Sequence, residues 1–111
     1  SSFFPTQDIS EFTVEVETPP GSNLEYTRLK AEEVVRLASA KPEVRYTYTT
    51  VGSASGSGAV DAANVFVRLV PKRDRDASQM EIAGRLRGEL RRIGGATAYL
   101  LESGGPGGGQ K

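Results

Sequence analysis

The chain has 111 residues, which is room for one domain with a single modest core. Lys and Arg number 14, as do Asp and Glu, and the zero net charge disfavours a dedicated nucleic-acid binder, which carries a basic excess. There is no Cys and no His, so disulfide staples, thiolate metal sites and the commonest general base are all missing.

In chain order, the first strong pattern is "EFTVEVET", residues 11–18. Phe12, Val14 and Val16 alternate with Thr13, Glu15 and Glu17, which is the period-two signature of a half-buried strand. Pro19, Pro20 and Gly21 end it. Ser22 followed by Glu25 has the spacing of a capping box and predicts a helix start. Leu24, Thr27, Ala31, Val34 and Ala38 then recur at three- and four-residue steps, with Val35 widening the stripe, up to Pro42. A second strand is expected over residues 43–51, rich in Tyr, Thr and Val.

Residues 52–63 are small and carry no secondary-structure signal. A third strand is expected at Asn64–Val70, closed by Pro71, and "KRDRD" then reads as a charged surface turn. Ser78 and Glu81 form a second capping-box pattern. The helix that follows carries Ile82, Leu86, Leu90 and Ile93 as its buried stripe and ends at Gly94–Gly95. Residues 96–103 supply a fourth strand, and residues 104–111, rich in glycine, read as a flexible linker or tail.

The order β-α-β-β-α-β predicts an α+β, ferredoxin-like split βαβ sandwich: a four-stranded antiparallel sheet with both helices on one face. Residues 1–10 precede the first strand and read as a flexible stub. No apolar run is long enough to span a bilayer.

Catalytic chemistry finds little support. Glu15 with Glu17, and Glu32 with Glu33, are carboxylate pairs with no acid–base companion nearby in sequence, and read as solvated faces. Asp8, Glu11 and Asp61 read as turn or strand-edge residues. "GSASGSG" at residues 52–58 lacks the Lys-Ser/Thr ending and the following helix of a phosphate loop. Its serines have no activating base. The chain is therefore expected not to be an enzyme, and no cofactor or metal is assigned to it. An RNA-binding sheet would need aromatic side chains on its central strands. Phe66 and Arg68 could serve there, but Glu15 and Glu17 on the neighbouring strand would repel phosphate. Arg85, Arg87, Arg91 and Arg92 form a basic helix face, expected to be solvated or docked on a partner.

The pieces "FFP" with Asp8, "EFTVEVETPPGSNLEYT", "PEVRYTYTTVG" and "NVFVRLVPKRDRD" stand in an order and spacing that resembles the periplasmic region of RND (resistance–nodulation–cell division) efflux transporters. The resemblance is to the branch that exports hydrophobic and amphiphilic compounds, and to the first porter subdomain of the C-terminal periplasmic loop. It implies a piece of a proton-driven, homotrimeric transporter at the periplasmic face of the bacterial inner membrane. Other porter subdomains, a periplasmic adaptor and an outer-membrane channel would be its partners. The stub at residues 1–10 would follow a membrane helix, residues 11–103 would be the subdomain, and the piece alone would not transport.

The resemblance also places the family's switch loop at Gly52–Ala63, with Gly52, Ser53, Ala54, Ser55, Gly56, Ser57 and Gly58 as its gating residues. Ser53 and Ser55 lack the aromatic rings carried there by well-known drug exporters. The metal-exporting branch uses several methionines, whereas this chain has only Met80. The alternative reading is a free-standing ferredoxin-like regulatory or oligomerisation module.

Overall fold

A computed structural model of the chain describes residues 7–52 and 58–101. The elements are β1 (Glu11–Glu17), α1 (Leu24–Ser39), β2 (Val44–Val51), β3 (Ala62–Leu69), a short 3-10 turn at Lys72–Asp74, α2 (Gln79–Leu90) and β4 (Thr97–Leu100). The four strands form one antiparallel sheet in the order β2-β3-β1-β4, the arrangement expected of the ferredoxin-like sandwich. Central β1 and β3 pair along their whole length, from Glu11 opposite Arg68 to Glu17 opposite Ala62.

Period-two alternation decides which side of the sheet is covered. Phe12, Val14 and Val16 on β1 and Ala63, Val65, Val67 and Leu69 on β3 are buried on one face. Ala31, Val34 and Ala38 of α1 and Ile82, Leu86 and Leu90 of α2 complete the same core. Both helices therefore lie on one side, and burial of their apolar stripes is the main favourable term holding the fold. One polar pair enters this interior: Thr18 Oγ1 and Thr27 Oγ1 share a buried hydrogen bond of 2.9 Å, tying the end of β1 to α1.

The two helix starts differ. Ser78 caps α2 as a full capping box, accepting from Glu81 N while Glu81 Oε1 accepts from Ser78 N. The expected box at Ser22 and Glu25 does not form. Asn23 is the N-cap of α1, its Oδ1 accepting from Tyr26 N at 2.8 Å. Ser22 Oγ instead donates to Pro19 O, because the Pro-Pro-Gly turn brings that carbonyl within 2.7 Å. Asn is as good a cap as Ser, and the helix simply starts one residue later than the box predicts. Leu24, expected in the buried stripe, consequently sits in the first turn and is half exposed. Ile93 lies beyond the end of α2 and is partly buried against the core.

Strand ends also shift. β3 begins two residues earlier than the apolar run suggests, because Ala62 and Ala63 pair with Glu17 and Val16. β4 is shorter, four residues paired only to β1. Gly95, with φ +78°, makes the connection before β4. Tyr26 Oη donates to its carbonyl at 3.0 Å, and a Cβ there would meet that hydroxyl at 2.2 Å. Glycine is required at this point by both backbone and space.

Residues 1–6 of the expected stub lie outside the described residues. Residues 7–10 run along the sheet end, where Asp8 binds Arg75. Arg75, expected in a surface turn, has a side chain only 2% exposed.

Candidate functional site

The side of the sheet away from the helices has no covering element among the described residues. Alternation places Glu11, Thr13, Glu15 and Glu17 of β1 on it, with Asn64, Phe66 and Arg68 of β3. β2 adds Tyr46 and Tyr48, and β4 adds Tyr99. The register arranges these in rows across the strands: Tyr46, Arg68, Glu11; then Tyr48, Phe66, Thr13; then Thr50, Asn64, Glu15, Tyr99.

One half of this face is aromatic. Tyr46 and Tyr48 are 51% and 67% exposed, and the Tyr46 ring lies 6.3 Å from that of Phe66, tilted by 42°. Cross-strand aromatic neighbours of this kind favour one another by fractions of a kcal/mol. Phe66 and Arg68 are therefore not alone, as they would be if only β3 supplied the platform. The missing partners come from β2, whose Tyr-Thr alternation was visible in the sequence but whose outward set was not.

The other half is acidic. Arg68 Nη1 pairs with Glu11, which neutralises one carboxylate. Among the described residues no cation pairs with Glu15 or Glu17. Partial burial, and then the neighbouring Glu17, hold the Glu15 pKa above its ordinary value. Glu17 Oε2 accepts the Tyr99 hydroxyl proton at 2.6 Å. That hydrogen bond, reinforced by burial, pushes the Tyr99 phenol up to about 12. The face can thus offer aromatic surface to a flat or apolar group and uncompensated negative charge to a cation beside it.

Of the expected gating residues, Gly52 and Gly58 are described. Gly52 N donates to Ala62 O at 2.8 Å and closes the end of the β2–β3 ladder. Ser53, Ala54, Ser55, Gly56 and Ser57 lie outside the described residues. The basic helix positions Arg85, Arg87, Arg91 and Arg92 are all exposed on the other side of the domain. There a shallow groove of about 520 Å³ runs between α1 and α2 over Leu37, Ala40 and Ile93. Its carboxylates, Glu33 and Glu89, are already paired to Lys30 and Lys41. Among the described residues no helix is long and apolar enough to cross a membrane.

Comparison with known proteins gives a consistent result. Residues 1–104 match the model of the AcrB/AcrD/AcrF family. The chain is 28% identical over 100 residues to multidrug resistance protein MdtC of Yersinia enterocolitica, covering 89% of this chain and 9% of that protein. It is 27% identical over 101 residues to MdtC of Serratia proteamaculans, with 90% and 9% covered. Among solved structures, a crystal form of a heavy metal efflux pump superposes with a TM-score of 0.77 at 21% identity, over 89% of this chain and 11% of that one. A second crystal form gives 0.74 at 23% identity, over 88% and 11%. At that identity the likeness concerns the fold.

Proposed function

The chain belongs to the AcrB/AcrD/AcrF family of RND efflux transporters, and from that premise we propose that its open sheet face is a wall of the cleft through which substrate enters. Fold and family together make it a porter subdomain, and it spans about a tenth of the length of the curated relatives it matches. The activity of a whole transporter is thus carried to this chain only as a proposal.

In this reading the parent is a homotrimeric, proton-driven antiporter of the bacterial inner membrane, with this subdomain in the periplasm. It works with a periplasmic adaptor and an outer-membrane channel. The subdomain itself binds and moves; it does not catalyse and does not transport alone. Its cargo is a hydrophobic or amphiphilic small molecule, and no nucleic acid is involved. The gating element is the connection between β2 and β3, which the resemblance places at Gly52–Ala63 and of which Ala62 and Ala63 belong to β3.

The observation that carries the reading is the pairing of Tyr46, Tyr48 and Phe66 with the uncompensated Glu15 and Glu17 on one uncovered face. An aromatic surface beside carboxylates that have no cation partner among the described residues suits an amphiphile with a cationic end. It suits a soft metal ion poorly, since such an ion needs several sulfur ligands. The single methionine, Met80, lies on α2 in the layer on the other side of the sheet.

The test is efflux of a fluorescent cationic amphiphile such as a rhodamine by the full-length transporter. Replacing Tyr48 and Phe66 together by Ala is expected to cut efflux several-fold at unchanged membrane level. Wild-type efflux by that variant would reject this face as a contact surface.

A further inference from the structure

The segment ahead of β1 is built into the domain by a closed set of hydrogen bonds. Arg75 uses all five of its donors there. Nη1 and Nη2 grip the Asp8 carboxylate end-on, at 3.0 and 2.7 Å. Nη2 also donates to Ser10 Oγ at 2.7 Å, Nη1 to Ala77 O at 2.8 Å, and Nε to Val70 O at 2.8 Å. Asp8 in turn accepts from Ser10 N and from Gln79 N, the first residue of α2, at 3.1 and 2.9 Å. Gln79 returns the contact: its Oε1 accepts from Ile9 N at 2.8 Å and from Glu11 N at 3.4 Å. Gln79 is 4% exposed.

Two features mark this as more than a capped turn. Ser10 is held at φ +61°, the only non-glycine residue with positive φ among those described. A left-handed serine is held at a cost of about 1–3 kcal/mol and persists only where its surroundings over-determine it. Its N–H, its hydroxyl and its carbonyl are all engaged, the carbonyl accepting from Leu69 N at 2.8 Å. Secondly, apart from the Ser10 N to Asp8 bond, residues 8–11 bond in this set to the end of β3 or to Arg75 and Gln79, and Arg75 ties them in turn to Val70 and Ala77. The guanidinium and the Gln79 amide hold the Asp8 carboxyl well below the usual carboxylate range, so the pair stays charged at any physiological pH.

We infer that residues 7–10 are a strap that opens and closes as one unit with the β3–α2 connection, so that a shift of the chain ahead of β1 seats or loosens the start of α2 directly. The link runs through side chains as well as the β1–β3 ladder, because Asp8 is bonded to Arg75 and Gln79, and Gln79 to Ile9. It is independent of what the transporter carries.

Hydrogen exchange of the full-length transporter, read by mass spectrometry on peptides covering residues 8–11, 76–80, 62–68 and 82–90, tests this. In the wild type the first two peptides are expected to be protected. Asp8→Ala is expected to raise exchange in both together by about tenfold or more, the size of a lost charge-assisted hydrogen bond, with the last two unchanged. Gln79→Ala removes only the acceptor for Ile9 and Glu11 and keeps the backbone donor to Asp8. Because the strap and the connection open together, it should raise exchange in residues 8–11 and 76–80 together, by less than Asp8→Ala does. The inference fails if either variant releases residues 8–11 alone. It also fails if the wild-type strap exchanges at the rate of a free peptide.

Discussion

The two faces of the sheet are made by the same strands, yet they answer to different demands. On the inner face Phe12, Val14, Val16, Val65 and Val67 are buried and meet two helices. On the outer face Tyr46, Tyr48 and Phe66 sit beside Glu15 and Glu17 with nothing over them among the described residues. The inner face is what folding requires. The outer face keeps aromatic area exposed and two carboxylates that have no cation partner among the described residues, a surface that folding does not use. In the proposed function this patch is the contact surface for cargo.

That contrast can be broken most sharply from the inside. Leu86→Ala, at a fully buried position, is expected to cost about 2–5 kcal/mol, measured as a shift of the denaturant midpoint. An unchanged midpoint would show that α2 does not seal the core. Gly95→Ala comes next, since the new methyl must displace the Tyr26 hydroxyl and adopt a left-handed backbone, a loss of about 1–3 kcal/mol in the same assay. Asn23→Ala should cost about 1 kcal/mol through the lost cap of α1, whereas Ser22→Ala should cost less than half of that. Equal losses would restore the capping box that the sequence suggests.

The outer face should respond weakly, and in one case with the opposite sign. Glu15 has its pKa raised in the folded state, so the native protein holds that proton more tightly than the unfolded chain. Its contribution to stability falls as pH rises from the ordinary carboxylate range through the raised value. Glu15→Gln is accordingly expected to raise the melting temperature slightly at pH 7, by less than about 0.5 kcal/mol of stability, and to have no such effect at pH 3. A loss of stability at pH 7 would mean that this carboxylate is held by a partner after all.

Most of the scaffold could be read from the chain because its cues are local. Strict alternation identified β1 and its inward set, and the three- and four-residue steps picked out Thr27, Ala31, Val34, Ala38, Ile82, Leu86 and Leu90 as buried. The resemblance carried by "NVFVRLVPKRDRD" and its neighbours led to the family that residues 1–104 match. The site was less legible. Tyr46 and Tyr99 are ordinary strand residues until cross-strand register sets one beside Phe66 and the other beside Glu17, at a sequence distance that no local pattern spans.

The sequence by itself determined which residues of β1 and most of those on the helix stripes face the core, and where the helices and strands follow one another, since period and punctuation are properties of neighbours along the chain. Only the tertiary structure decided that Asp8 and Arg75, 67 residues apart, form a partly buried pair. It alone decided that the aromatic and acidic halves of the outer face lie side by side. Both depend on which strands pair and in what register, and that follows from packing two helices on one side of the sheet, a choice made by the whole chain at once.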